Sequence, residues 1–204
     1  MRHIESDNLG DFSAIYSDDV ELVSVARPNS EVNATLAQRL AESRQVLQLQ
    51  WVQATDAHAA TETALPASID SEARVMLVNE ITDGCEVLGE LMGCEQIGVR
   101  LTTLRSPMCP RFHVDNIPCR LLQTLSGAAT EWICVDDVDW PTFADLSQTI
   151  EPVSPGSEIQ QLLTGHFSIL KGGAWNNIYR GVVHRSPPGK GERLLLTLDP
   201  IYKD

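Results

Sequence analysis

Arg193-Leu194-Leu195-Leu196-Thr197-Leu198-Asp199, near the C-terminus, sorts by parity into two unlike faces. Successive strand side chains point to opposite sides of a sheet, so Leu194, Leu196 and Leu198 share one side, and Arg193, Leu195, Thr197 and Asp199 the other. The first side is a greasy surface for helices to cover. The second carries a cation into a pocket. Upstream, residues 97–104, 119–125, 130–135 and 167–171 are short, β-rich and separated by Gly, Pro and Asp signals. Several short strands with that punctuation point to a double-sheet jelly roll or cupin-like barrel.

The N-terminal part supplies the cover. Residues 20–26 alternate like a strand and stop at Pro28, after which Ser30 is placed to cap a helix. Leu36, Leu40, Leu47 and Trp51 recur at helical spacing on one face of it. Residues 55–69 are small and polar and read as a loop. A second helix is expected from about Asp70 to Met92, with Leu77, Ile81, Cys85, Leu88 and Met92 on one stripe and Gly93 ending it. The expected fold is therefore α+β: a double-stranded β-helix with N-terminal helices packed on one sheet. It is read as one domain over 1–204, with a helical layer over 1–94 and the β-helix core over 95–204. The acidic stretch 135–141 and the segment up to Gly156 read as an insertion near the barrel mouth.

A net charge of −13 repels a phosphate backbone, and no Lys/Arg cluster offsets it, so nucleic acid is not an expected partner. Residues 1–7 lack the apolar core of a signal peptide, and no run approaches the ~18 apolar residues that a membrane span needs. A cytoplasmic location without membrane contact is expected. The five cysteines are an odd number with no Cys-x-x-Cys, which suits reduced thiols rather than disulfides or a zinc ribbon. Cys85 falls on the helix stripe. Cys109, Cys119 and Cys134 read as small buried hydrophobes, although Cys109 shares parity with His113, and a thiolate there would favour zinc. His3 and His58 read as surface residues and His166 as a strand-entry residue. Trp132 and Trp175 fit either the core or the pocket mouth. The pair Gly172-Gly173 is too short for a phosphate-binding loop.

The chemistry centres on Phe112-His113-Val114-Asp115 and the later Gly181-Val182-Val183-His184-Arg185-Ser186-Pro187. Two imidazoles and one carboxylate, in the order His-x-Asp and then a distant His, form the ligand set of a facial triad with open coordination positions. On a strand, His113 and Asp115 would project from one face and share an ion. His-x-Asp alone is more often a surface or hydrogen-bonded pair, and Arg193 alone a solvated charge.

Taken together these positions resemble the iron- and 2-oxoglutarate-dependent oxygenases. In that resemblance His113, Asp115 and His184 hold Fe(II) and carry the catalysis. Arg193, nine residues past His184, pairs with the far carboxylate of 2-oxoglutarate, and Thr197 adds a hydroxyl. Residues 121–132 and 165–173 are similar to strands flanking such sites, so the likeness spans about 95–204. One departure is Leu195, where many of these enzymes have Ser or Thr, which leaves Arg120 or Arg185 as alternative anchors. The resemblance implies a dioxygenase, a hydroxylase of a small molecule or a protein side chain. The stretches 108–115 and 184–188 also resemble an uncharacterised bacterial family, a domain of unknown function often encoded beside zinc-homeostasis genes. That supplies the alternative of a non-enzymatic cupin holding Zn(II) or iron for metal homeostasis. A degenerate barrel used for protein interaction is a third reading. Oligomeric state is left open.

Overall fold

The computed structural model describes residues 1–28, 30–43, 46–176 and 180–202. In chain order these form β1 (Arg2–Ser6), a 3-10 segment (Leu9–Tyr16), β2 (Val20–Val25), α1 (Ser30–Glu42), β3 (Gln48–Ala54), α2 (His58–Ala64), α3 (Ser71–Met92) and β4 (Gln96–Leu104). There follow β5 (Cys119–Ser126), β6 (Glu131–Ile133), α4 (Trp140–Ala144), β7 (Gln160–Gln161), β8 (Phe167–Lys171), β9 (Val183–Arg185) and β10 (Arg193–Ile201). Seven strands make one sheet in the order β1-β2-β8-β5-β10-β4-β3, and β7-β6-β9 make a small facing sheet. The fold is a double-stranded β-helix of α+β class.

The parity of β10 decides the layering. Leu194, Leu196 and Leu198 are fully buried in the main core with α3 residues Leu77, Ile81, Cys85 and Leu88. Each leucine so buried contributes roughly 2 kcal/mol, which binds the helices to the back of the large sheet. The opposite face, with Leu22, Leu122 and Leu170, packs on Trp132 of the small sheet and forms the barrel interior. The α3 helix starts and stops as its sequence dictates. Asp70 caps it by accepting a hydrogen bond from Ala73 N at 3.0 Å, and Gly93 ends it in the left-handed conformation at φ 61°. Among the described residues no helix is long and apolar enough to cross a membrane.

Three expectations change. The first helix stops at Glu42, and Leu47 and Trp51 belong to or adjoin the edge strand β3. Their spacing of four satisfies a helix and, being even, also a strand, and the alternating burial of β3 is that of a strand. The expected cap at Ser30 rests on a side chain outside the described residues. The stretch 55–69 contains the helix α2. The first 94 residues also contribute three strands of the large sheet, β1, β2 and β3, so the expected helical layer is a mixed one.

Candidate metal centre

His113 does not lie in a regular strand. It pairs with His184 through a single antiparallel bridge at the edge of the small sheet. The two residues exchange both backbone hydrogen bonds, His113 N to His184 O at 2.9 Å and His184 N to His113 O at 3.0 Å. Behind them Phe112 and Val183 pack with Ile133, Val138, Trp140 and Phe143, so the acidic insertion supports the bridge from one side.

Asp115 reaches the same point by an irregular path held by glycines. Gly173 N donates to Asp115 O at 2.8 Å. A Cβ on Gly172 would stand 2.0 Å from Ile117 O. One on Gly181, whose φ is +86°, would stand 2.4 Å from Val114 Cγ1. Any side chain at either position would push the Asp115 loop away. The role of these glycines is packing against the loop, a contact between distant segments that no local pattern announces.

His113, Asp115 and His184 each place one donor atom within 4.8 Å of the others. His113 Nε2 lies 3.8 Å from Asp115 Oδ1, and His184 Nε2 lies 3.4 Å from Asp115 Oδ2. Bonds of roughly 2.1 Å at right angles put adjacent donors roughly 3 Å apart, so the set needs only a small contraction to seize one ion. Both imidazoles are oriented for this. His113 Nδ1 lies 3.0 Å from Arg111 O and His184 Nδ1 lies 3.0 Å from Val182 O, contacts in which Nδ1–H donates and Nε2 keeps its lone pair. Burial, reinforced by the neighbouring His184, lowers the His113 pKa and keeps it neutral near pH 7. Burial alone would raise Asp115, but its contact with the His184 imidazole and the charge of Arg120 outweigh it and bring the carboxyl down to about 2.

The arginines proposed as anchors separate cleanly. Arg120 Nε and Nη2 fork onto Asp199 at 2.6 and 2.7 Å, while Nη1 donates to Asp115 Oδ2 at 2.7 Å. Arg185 donates to Glu131 at 2.7 Å and to Glu151 at 2.8 Å, and stacks on Phe112 at 4.2 Å. Arg193 is different: it is buried, and Nε, Nη1 and Nη2 have no hydrogen-bond partner among the described residues. Desolvation lowers its pKa to about 10. Thr197 Oγ1 and Trp132 Nε1 are also buried without partners. Unpaired donors of this kind inside a barrel call for an acceptor from outside the chain.

A cavity of about 60 Å³ touches His113 and His184 and is walled by Leu122, Leu195 and Thr197, with Arg120 and Arg185 at its edge. Arg193 is not on that wall. Leu195, which follows it on the same face of β10, is. Cys109, expected to be buried, is exposed and also lines this cavity, yet it does not join the three-donor cluster. Cys85 and Cys119 are buried as expected, whereas Cys134 is only partly buried. Trp132 is core of the barrel interior, and Trp175 packs, partly buried, against the separate main core. His58 is exposed, while His3 is half-buried, edge-on to Trp132 at 5.2 Å.

Arg120 acts on the triad through Asp115. Arg120→Met should raise the Asp115 pKa and weaken metal binding by roughly ten- to hundred-fold, the usual effect of losing an outer partner of a ligand. Arg120→Lys should recover part of it. Chelator competition checks this, and an unchanged metal affinity in the Met variant would remove Arg120 from the site.

Residues 6–199 match the model of a family described as "Protein of unknown function (DUF1826)". The chain belongs to this family. No curated protein matches it. Among solved structures, the DUF1826 chain is similar to a rice dioxygenase for auxin oxidation, at 12% identity and TM-score 0.55 over 100% of this chain and 84% of that one. It is similar to the Arabidopsis thaliana enzyme AtDAO1, described as a 2-oxoglutarate binary complex, at 14% identity and TM-score 0.53 over 100% and 93%. It is also similar to a Pseudomonas putida prolyl-4-hydroxylase at 14% identity and TM-score 0.52, over 97% and 100%. At such identities the likeness is one of fold, and it agrees with the double-stranded β-helix seen in this DUF1826 member.

Proposed function

We propose that the protein is an Fe(II)- and 2-oxoglutarate-dependent dioxygenase, a hydroxylase of a small molecule or protein side chain. The observation that carries this reading is the joint presence of a three-donor metal site and a desolvated, unpartnered arginine in one barrel. His113, Asp115 and His184 would hold the iron, and the set of two imidazoles and one carboxylate fits it. A closed zinc carrier would need a fourth protein donor, and none converges there among the described residues. Arg193 offers a fork of donors matched to a carboxylate, and Thr197 a further hydroxyl. The metal with its co-substrate supplies, when bound, an oxidant able to take hydrogen from a C–H bond.

The chain's own residues do the remaining work. The carbonyls of Arg111 and Val182 fix the imidazoles, Arg120 keeps Asp115 ionised, and Leu122 and Leu195 make the cavity wall apolar. Excluding water strengthens each of these electrostatic contacts.

Anaerobic titration of the Fe(II)-loaded protein with 2-oxoglutarate tests the reading. A weak visible charge-transfer band saturating at one equivalent is expected. Stoichiometric iron with no band would reduce the protein to a metal binder without oxygen chemistry.

A further inference from the structure

The barrel mouth holds one more arginine than the site described above uses. Arg120 and Arg185 are committed to carboxylates, and Arg193 is buried within the barrel. Arg100, on β4, has no hydrogen-bond or ion-pair partner among the described residues, although the chain carries 28 acidic residues against 15 basic ones. It is half-buried. Register places it directly across from Thr197 of β10. Opposed residues of an antiparallel pair have Cβ atoms about 5 Å apart, so the Arg100 side chain leaves the sheet beside that of Thr197.

Arg100 also lies where two spaces meet. It lines the cavity touching His113 and His184, and it lines a groove of about 590 Å³ along β3 and β4. Thr102 and Met108 are shared by both. Small-molecule sites span roughly 300–1,000 Å³, so the groove has the right size and the inner cavity does not. Its walls mix the apolar Val46, Leu104 and Met108 with Gln48 and Gln50. Val46 and Met108 are 58% and 47% exposed, apolar surface left uncovered at the rim.

We propose that the substrate of this site is a small organic carboxylate, whose anionic end is bound by Arg100 and whose apolar body lies in the β3–β4 groove. The proposal rests on the oxygenase reading and adds the substrate class to it. Arg193 and Arg100 then divide two carboxylates between them: the buried cation takes the co-substrate and the mouth cation takes the substrate. Arg100 recognises the substrate and orients it, so that the carbons adjoining the carboxylate enter the cavity beside the triad.

Calorimetric titration of the metal-loaded protein, with 2-oxoglutarate saturating, against a panel of aliphatic and aromatic monocarboxylates and their matching primary amides tests this. A charge-assisted contact contributes about 1.5–3 kcal/mol, which is roughly ten- to hundred-fold in affinity. The best acid should exceed its amide by that factor, and Arg100→Gln should erase the difference while leaving 2-oxoglutarate affinity unchanged. Equal binding of acids and amides across the panel would overturn the proposal. So would loss of 2-oxoglutarate binding in Arg100→Gln, which would make Arg100 the co-substrate anchor. Failure of the wild type to bind 2-oxoglutarate is read separately and strikes the oxygenase reading, since monocarboxylate binding can be titrated without it.

Discussion

Arg193→Met is expected to make the ligand-free protein more stable and to abolish 2-oxoglutarate binding. Arg193 is 6% exposed, its guanidinium has no partner among the described residues, and desolvation takes its pKa down to about 10. That shift corresponds to about 3 kcal/mol of disfavoured charge in the folded state. The sign follows from the lowered value. A base whose folded pKa lies below its unfolded one costs stability wherever both states are protonated, so the penalty is fully present below pH 10 and fades only as pH climbs into the ordinary arginine range. At neutral pH methionine keeps most of the packing and removes the charge, so a gain of about 1–3 kcal/mol is expected. For a chain of this size that is roughly 2–10 °C in Tm. Ligand closes or reverses the gap: wild type at a hundredfold excess over Kd gains about 2.7 kcal/mol, and the variant gains nothing. Thermal melts with and without 2-oxoglutarate read both effects. A variant that melts lower than wild type and still binds 2-oxoglutarate would make Arg193 a structural residue.

His113→Ala and Asp115→Ala should each abolish stoichiometric metal while leaving the fold standing. The bridge between residues 113 and 184 is made by backbone atoms and survives truncation of the imidazole. Without Asp115, Arg120 keeps its two bonds to Asp199, so no buried cation is stranded. In the metal-free protein the carboxylate, held at about 2 against an ordinary 3.8, contributes about 2 kcal/mol. That contribution is present above pH 3.8 and lost as pH falls through 2, so near neutrality the Asp115→Ala variant should lose no more than this. Metal analysis after gel filtration, paired with a denaturant melt, gives both numbers. Full metal content in both variants would dissolve the triad.

Much of this was legible because it lies within single elements. The parity of residues 193–199 placed the leucines against the helices and the polar face inward. Asp70 and Gly93 bounded the long helix, and two imidazoles with a carboxylate named the donor set. What stayed hidden depends on contacts between elements. The sequence put Arg193 first as anchor but left Arg120 and Arg185 as alternatives, and only the contacts of those two with Asp199, Glu131 and Glu151 set them apart. The strand β3 was hidden by a spacing that serves two periodicities. The same-face argument for His113 and Asp115 assumed a regular strand; the structure reaches the same convergence through one bridge and a glycine-held loop. Gly172 and Gly181 carry no signal except against the residues they would strike.

The two-bond bridge joining His113 to His184 has a consequence for when the site comes into being. Its partners are about 70 positions apart. Closing a loop of that length costs roughly 4 kcal/mol of chain entropy before any contact is rewarded. Long-range pairings of this kind are among the last to form as a chain folds, and here the second partner is made about 70 residues after the first. Capture of an ion by these three donors would thereby be deferred to a largely folded molecule, since a half-folded chain offers no three-donor claw.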